Sequence, residues 1–164
     1  MTKKGFTLIE LIIVIAIIAI LAAAIFVAVD PARRLHETRN ARRWSDISTI
    51  LDAVKKYQAD NEGTHFTDIA NLTDGDYYRI GTESSSICDE SCAGQTPSPS
   101  CVDLTGIGTN YLAVVPVDPK VGTQAITGYM LMKETSGAVT IYACEPEGEG
   151  PGGNDTPLEI QVTR

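Results

Sequence analysis

The sequence predicts an α+β fold in which a long N-terminal helix, membrane-spanning in its first half, packs with its second half against a small antiparallel sheet. Residues 6–29 form an apolar run of 24 residues in which only Thr7 and Glu10 are polar. Residues 32–59 then place apolar side chains at helical spacings of three and four. Short runs typical of strands follow after residue 128. These three observations indicate a lollipop shape, with an apolar stalk and a head built on its upper half.

The apolar run is long enough to cross a bilayer. At the α-helical rise, residues 6–29 reach about 36 Å, and a hydrocarbon core is about 30 Å thick. We therefore expect this segment to span a membrane.

Glu10 is the anomaly in this run. An ionised carboxylate inside lipid costs on the order of 2.5 kcal/mol or more. The sequence has no Lys or Arg between Lys4 and Arg33 that could neutralise it. Cleavage after Gly5 would create an ammonium group on Phe6, one turn before Glu10, and a neighbouring copy could supply the same group. Glu10 therefore indicates processing and self-association.

The segment Gly5-Phe6-Thr7-Leu8-Ile9-Glu10-Leu11, preceded by Lys3 and Lys4, resembles the N-terminus of the type IV pilin family, which includes the pseudopilins of type II secretion. The resemblance implies cleavage between Gly5 and Phe6 by a prepilin peptidase and N-methylation of Phe6. It also implies that Glu10 pairs with a neighbour's amine and fixes registry during filament assembly.

The same resemblance implies a structural subunit of a pilus-like filament and no enzyme. The implied partners are other copies in a helical filament, the prepilin peptidase, an inner-membrane assembly platform and, before assembly, membrane lipid. The implied location is a single pass through the inner membrane, then an extracytoplasmic or cell-surface filament. The alternatives are a pseudopilin of a type II secretion or DNA-uptake system and a tip-located minor pilin that binds a surface ligand.

Two other interpretations of the N-terminus remain open. In an ordinary secretory signal, Ala22-Ala23-Ala24 could serve as the cleavage site. An uncut single-span anchor is the other. Both leave the carboxylate of Glu10 without a cation.

The chain divides into a leader (residues 1–5), a transmembrane or filament-core helix (6–29), an amphipathic helix of the head (30–62) and a loop region with the sheet (63–164). Asp30-Pro31 either bends the helix or restarts it as N-cap and first residue. We expect the second helix to end near residues 60–63. Its buried stripe should comprise Trp44, Ile47, Ile50, Leu51, Val54 and Tyr57, with Arg42, Arg43, Asp46, Asp52, Lys55 and Lys56 on the other sides.

Charge is unevenly distributed. Residues 1–59 hold nine Lys and Arg against five Asp and Glu, and residues 60–164 hold four against sixteen. An acidic head disfavours a nucleic-acid partner. The five arginines between Arg33 and Arg43 could attract lipid head groups or acidic faces of adjacent subunits, or could pair internally with Glu37. They also make the positive-inside count point the wrong way, so the orientation depends on the resemblance.

Four cysteines, all beyond the apolar run, indicate disulfides in an oxidising compartment. They allow three pairings. Because one of them is distant in sequence, one bridge should tie the loop to the strand that carries it. The spacing lacks the paired C-x2-C of structural zinc sites. The four residues are Cys88, Cys92, Cys101 and Cys144.

The head should contain a strand at Tyr77–Ile80, a hairpin formed by residues 128–132 and 138–144, and a strand at Leu158–Thr163. The connection Pro116-Val117-Asp118-Pro119 is similar to a Pro-x-Asp-Pro connection of major pseudopilins, and its prolines make it rigid. Residues 84–86 and 96–100 are loop material. The acidic, glycine-rich residues 145–155 predict a mobile exposed loop.

The sequence shows no catalytic constellation. Its two histidines, His36 and His65, lie outside any metalloprotease or nucleophile-elbow motif. We expect no cofactor, with calcium as a weak alternative without EF-hand spacing. The candidate oxygen ligands for calcium are Asp74, Asp76, Asp89 and Glu90.

Overall fold

The computed structural model describes residues 5–83 and 87–164. The predictions for leader residues 1–4 and for loop residues 84–86 lie outside this range. The helices are α1 (Leu8–Val29), α2 (Pro31–Asp60) and α3 (Thr67–Ala70). The strands are β1 (Tyr77–Arg79), β2 (Tyr129–Lys133), β3 (Val139–Ala143) and β4 (Gln161–Thr163), with 3-10 turns at Thr105–Ile107 and Pro151–Gly153.

The predicted fold class is confirmed, because α2 packs on a four-stranded antiparallel sheet of order β1-β2-β3-β4. Successive side chains of a strand point to opposite faces. Leu131 and Ile141 join the core beneath α2. Met130 and Tyr142 lie on the other face with the Cys92–Cys144 disulfide. The two central strands are therefore covered on both faces.

The helix is interrupted at Asp30, and the N-cap interpretation is confirmed. Asp30 adopts a left-handed conformation with φ 45° and ψ 73°. Its carboxylate accepts a hydrogen bond from the backbone N–H of Arg33 at 3.4 Å, and Pro31 is the first residue of α2. The second helix ends at Asp60, the first residue of the predicted range 60–63.

The predicted buried face of α2 is correct for its upper half and wrong at Arg43 and Trp44. Trp44 is 44% exposed, whereas Arg43 is fully buried. The lower half of α2 faces polar loops and not the sheet, so its buried side is rotated toward Asn40 and Arg43. The core residues of the upper half are Ile47, Ile50, Leu51, Ala53 and Val54.

Arg43 is held by two carboxylates from distant parts of the chain. Its Nε donates to Asp118 Oδ2 at 2.6 Å, and its Nη1 donates to Glu147 Oε2 at 3.0 Å. Burying a guanidinium is tolerated only with such close partners. Glu147 is itself only 7% exposed, so the prediction of an exposed loop over residues 145–155 is wrong at this residue.

The two carboxylates stay ionised in this site. Burial by itself would raise the pKa of Asp118, but hydrogen bonds from Arg43 and from backbone N–H groups hold that pKa below its ordinary value. Burial by itself would also raise the pKa of Glu147, but hydrogen bonds from Arg43 and Lys120 lower that pKa. Because both pKa values are lower in the fold than in the unfolded chain, this stabilisation is present above the ordinary carboxyl range and is lost as the pH falls through the lowered values.

The other arginines pair mainly within the subunit. Arg33 and Arg34 both contact Glu37, at 2.8 and 2.9 Å, as the internal-pair interpretation expects. Arg39 contacts Glu147 at 2.8 Å. Arg42 keeps 62% of its side chain exposed.

Both disulfides involve the loop before β2. Cys88 pairs with Cys101, and Cys92 pairs with Cys144, which directly follows β3. The prediction that one bridge ties the loop to the strand carrying Cys144 is confirmed.

The hairpin is confirmed, and the last strand is shorter than predicted. Strand β4 begins at Gln161, with Ile160 buried just before it, whereas Leu158 is 75% exposed. Pro157 lacks an N–H to donate to a ladder, which helps to explain why pairing does not extend further back.

We expect the two disulfides to stabilise the head unequally. Replacing both cysteines of the Cys92–Cys144 pair by serine should cost about 4 kcal/mol of unfolding free energy, and replacing the Cys88–Cys101 pair about 3 kcal/mol, because the first closes the longer loop. Urea unfolding of the full chain in detergent, followed by Trp44 fluorescence, measures both. Equal losses would contradict a loop-entropy origin.

Arg43→Met should destabilise the head by about 3–5 kcal/mol, because it leaves Asp118 and Glu147 buried without their cation. Arg42→Met is the matched control at the adjacent exposed position, with an expected change within about 0.5 kcal/mol. The same urea titration measures the difference. Similar losses for the two variants would show that the buried ion pairs do not stabilise the head.

Candidate processing and assembly site

The predicted cleavage site lies in irregular backbone directly before α1. Gly5 and Phe6 are outside the helix, and Phe6 is 89% exposed. Thr7 has extended backbone angles and is the N-cap residue. The Gly5–Phe6 bond therefore lies where a protease can reach it without unwinding the helix.

Thr7 and Glu10 form a reciprocal capping box at the start of α1. The hydroxyl of Thr7 accepts a hydrogen bond from the Glu10 N–H at 3.4 Å. Glu10 Oε2 accepts two hydrogen bonds, from the N–H and from the hydroxyl of Thr7, each at 2.8 Å. The sequence reasoning missed this local partner, although Thr-x-x-Glu before an apolar run is a signature of this cap.

The capping hydrogen bonds use part of the hydrogen-bonding capacity of the Glu10 carboxylate and do not neutralise its charge. A carboxylate offers about four acceptor positions on two oxygens. Within the described part of the chain, the hydrogen bonds to this side chain all reach Oε2. Oε1 is therefore left for a further donor such as an ammonium group.

Helix α1 buries none of its residues against the head. Its large apolar side chains are half to nearly fully exposed; Ile20, for instance, is 70% exposed and Phe26 is 68% exposed. Removing apolar surface from water is favourable by about 25 cal/mol per Å². The apolar side chains of α1 should therefore be covered by something other than the head. By length and composition alone, one helix in the described residues could span a membrane, and it contains this segment.

Two of the four calcium candidates form ion pairs with basic side chains. Asp74 contacts Lys133 at 3.0 Å, and Glu90 contacts Arg79 at 3.2 Å. Within residues 5–83 and 87–164, no group of three or more His, Cys, Asp or Glu side chains is arranged to hold a metal ion. The geometry therefore adds no support for calcium binding at Asp74, Asp76, Asp89 or Glu90.

Both histidines contact other residues of the head. His36 Nδ1 lies 2.8 Å from the carbonyl oxygen of Gly148. His65 contacts Gln58, and burial together with the nearby charges of Lys55 and Lys133 lowers its pKa.

Comparison with known proteins gives one match. Residues 1–26 match the family model described as the prokaryotic N-terminal methylation motif. No curated protein and no solved structure matched the chain. The matched residues contain the Gly5–Phe6 bond, the capping box and most of α1, and the motif and the apolar helix together fit a membrane-anchored precursor. This match supports a class III signal peptide of the kind found in type IV pilins and pseudopilins.

Proposed function

We propose that the protein is a structural subunit of a type IV pilus-like filament. Prepilin peptidase cleaves it after Gly5 and methylates the new amine of Phe6, and the mature subunit polymerises from the inner membrane. The observation that carries this proposal is a methylation motif placed on a helix that its own head leaves entirely uncovered. A structural role of this kind requires no catalytic group.

The same apolar surface serves two states of the subunit. Before assembly, lipid covers α1. In the filament, the α1 helices of neighbouring copies cover it, so the transfer exchanges one apolar environment for another and exposes little of α1 to water. An inner-membrane assembly platform would drive this step.

Glu10 supplies registry between subunits. In a dry helical bundle an ionised carboxylate without a cation costs several kcal/mol. The ammonium of Phe6, on the same or a neighbouring copy, can bind the oxygen that Thr7 leaves available. A subunit that enters one turn out of register would leave Glu10 without its cation, so it would be disfavoured.

A pseudopilin of a type II secretion or DNA-uptake system is the second candidate. Asp118, from the Pro-x-Asp-Pro connection that resembles major pseudopilins, is buried against Arg43 and so has a structural role in the head. The disulfide-tied loop instead favours a surface-exposed pilin. A scarce tip protein that binds a surface ligand is a third candidate, and copy number per filament separates it from a shaft subunit.

Glu10→Ala and Glu10→Val should leave membrane insertion intact and lower filament yield at least tenfold, because the registry ion pair is worth more than about 1.4 kcal/mol in a dry core. Membrane fractionation measures insertion, and quantification of sheared filaments measures assembly. Glu37→Ala, at a partly exposed position of α2 where the carboxylate pairs with Arg33 and Arg34 of the same subunit, is the control and should assemble normally. Unchanged yield from the Glu10 variants would contradict the registry role.

Mass spectrometry of the mature protein tests processing directly. The expected N-terminus is N-methylated Phe6, and the mass should be lower by about four hydrogens than that of the reduced chain, since the two disulfides remove two hydrogens each. A natural protein that keeps residues 1–5, or that begins after Ala24, would overturn the proposal.

A further inference from the structure

Residues 147–153, here called the strap, follow the membrane-proximal half of α2 down to its N-cap residue, Asp30. Glu147 lies beside Arg43 and Asn40, and the carbonyl of Gly148 lies beside His36. The strap ends at the junction of the two long helices, where the N–H of Gly152 donates to Asp30 Oδ2 at 2.7 Å.

These contacts lie on one side of α2. Arg43, Asn40 and His36 are separated by three and four residues, a spacing that places side chains on one helix face. From Asp30 to Arg43 the helix rises about 20 Å. The strap is therefore fixed at its upper end, at its middle and at the helix junction.

Asn40 fixes the position of the strap along the helix. Its Nδ2 donates to the carbonyl of Glu147 at 2.6 Å, and its Oδ1 accepts from the N–H of Glu147 at 3.0 Å. The side-chain amide thus pairs with the backbone of the strap as a neighbouring strand would. A one-residue slip of the strap would break both hydrogen bonds.

Close approach requires glycine at the lower end. A Cβ atom on Gly153 would lie 2.5 Å from the Cε1 atom of His36, and the φ of Gly153 is 75°. Gly152 has a φ of 68°, also in the left-handed region. The glycine-rich composition therefore serves contact with α2 here, in contrast to the exposed loop that it predicts.

Asp30 connects the strap to the direction of α1. It is a non-glycine residue at positive φ, a conformation that costs energy and persists when its surroundings hold it. One carboxylate oxygen accepts from Arg33 within α2, and the other accepts from Gly152 in the strap. Because α1 buries no residue against the head, this junction determines where α1 points.

We propose that the strap is a positioning element that fixes the angle at which α1 leaves the head, with the Asp30–Gly152 hydrogen bond as its contact to the junction. This rests on the proposed function, because a filament subunit must present its stalk and its head to neighbours in one fixed relation. The strap is then a determinant of assembly geometry as well as part of the folded head.

The test compares two substitutions at Asp30 in the full chain in lipid nanodiscs. Asp30→Asn tolerates positive φ and keeps one acceptor oxygen of the same reach, but its other terminal group is an NH2 donor, so it can accept from Arg33 or from Gly152 and not from both. Asp30→Ser keeps a capping oxygen for Arg33 but is one bond shorter, so it should lose the contact to Gly152. Spin labels on cysteines introduced at Ile20 and Thr49, with both disulfides verified by mass, report the distance between α1 and α2 by electron paramagnetic resonance.

We expect a narrow distance distribution for the unsubstituted chain, an intermediate width for Asp30→Asn, and a distribution at least twice as wide as that of the unsubstituted chain for Asp30→Ser. Filament yield should fall at least twofold for Asp30→Ser, while the urea midpoint of the head stays unchanged. Gly153→Ala, which pushes the strap away from His36 without touching Asp30, should widen the distribution in the same way.

An unchanged width in both Asp30→Ser and Gly153→Ala would overturn the positioning role. If widening occurs only together with a lowered urea midpoint, the strap merely stabilises the head, and the proposal is also overturned. The distance measurement needs no filament, so failure of the unsubstituted chain to polymerise would count against the proposed function and not against the strap.

Discussion

The buried guanidinium of Arg43 is the interaction on which the head depends. It joins α2 to Asp118 in the connection before β2 and to Glu147 in the strap, which are 75 and 104 residues away in sequence. No water can replace either carboxylate at a fully buried site, so the three segments have to fold together. The lower half of the head is therefore held by charge, whereas its upper half is held by the apolar core beneath α2.

The two halves of the long N-terminal helical stalk have different surroundings. The first half, α1, is apolar all round and buries nothing in its own subunit, which fits lipid or other copies of the helix. The second half, α2, carries the head. Asp30 separates the two halves, and the strap reaches that point from the opposite end of the chain. The proposed processing site at Phe6 and the folded head thus lie at opposite ends of one long helical stalk.

Much of the fold could be predicted because the signals are local. The apolar run, the N-cap at Asp30, the hairpin and the upper stripe of α2 follow from spacing and residue type over a few positions. The bridge to Cys144 followed from sequence distance alone. The capping partner of Glu10 was also local, and the Thr-x-x-Glu pattern could have identified it.

The sequence by itself determined that residues 6–29 contain an uncovered apolar helix with a carboxylate near its start, because that depends only on composition and length. Only the tertiary structure decided which side of lower α2 is buried. Arg43 looks like a surface residue until Asp118 and Glu147 arrive from distant segments, and Glu147 looks like part of an exposed loop until α2 supplies its cations. Each burial depends on its partner, so no local pattern could predict either one.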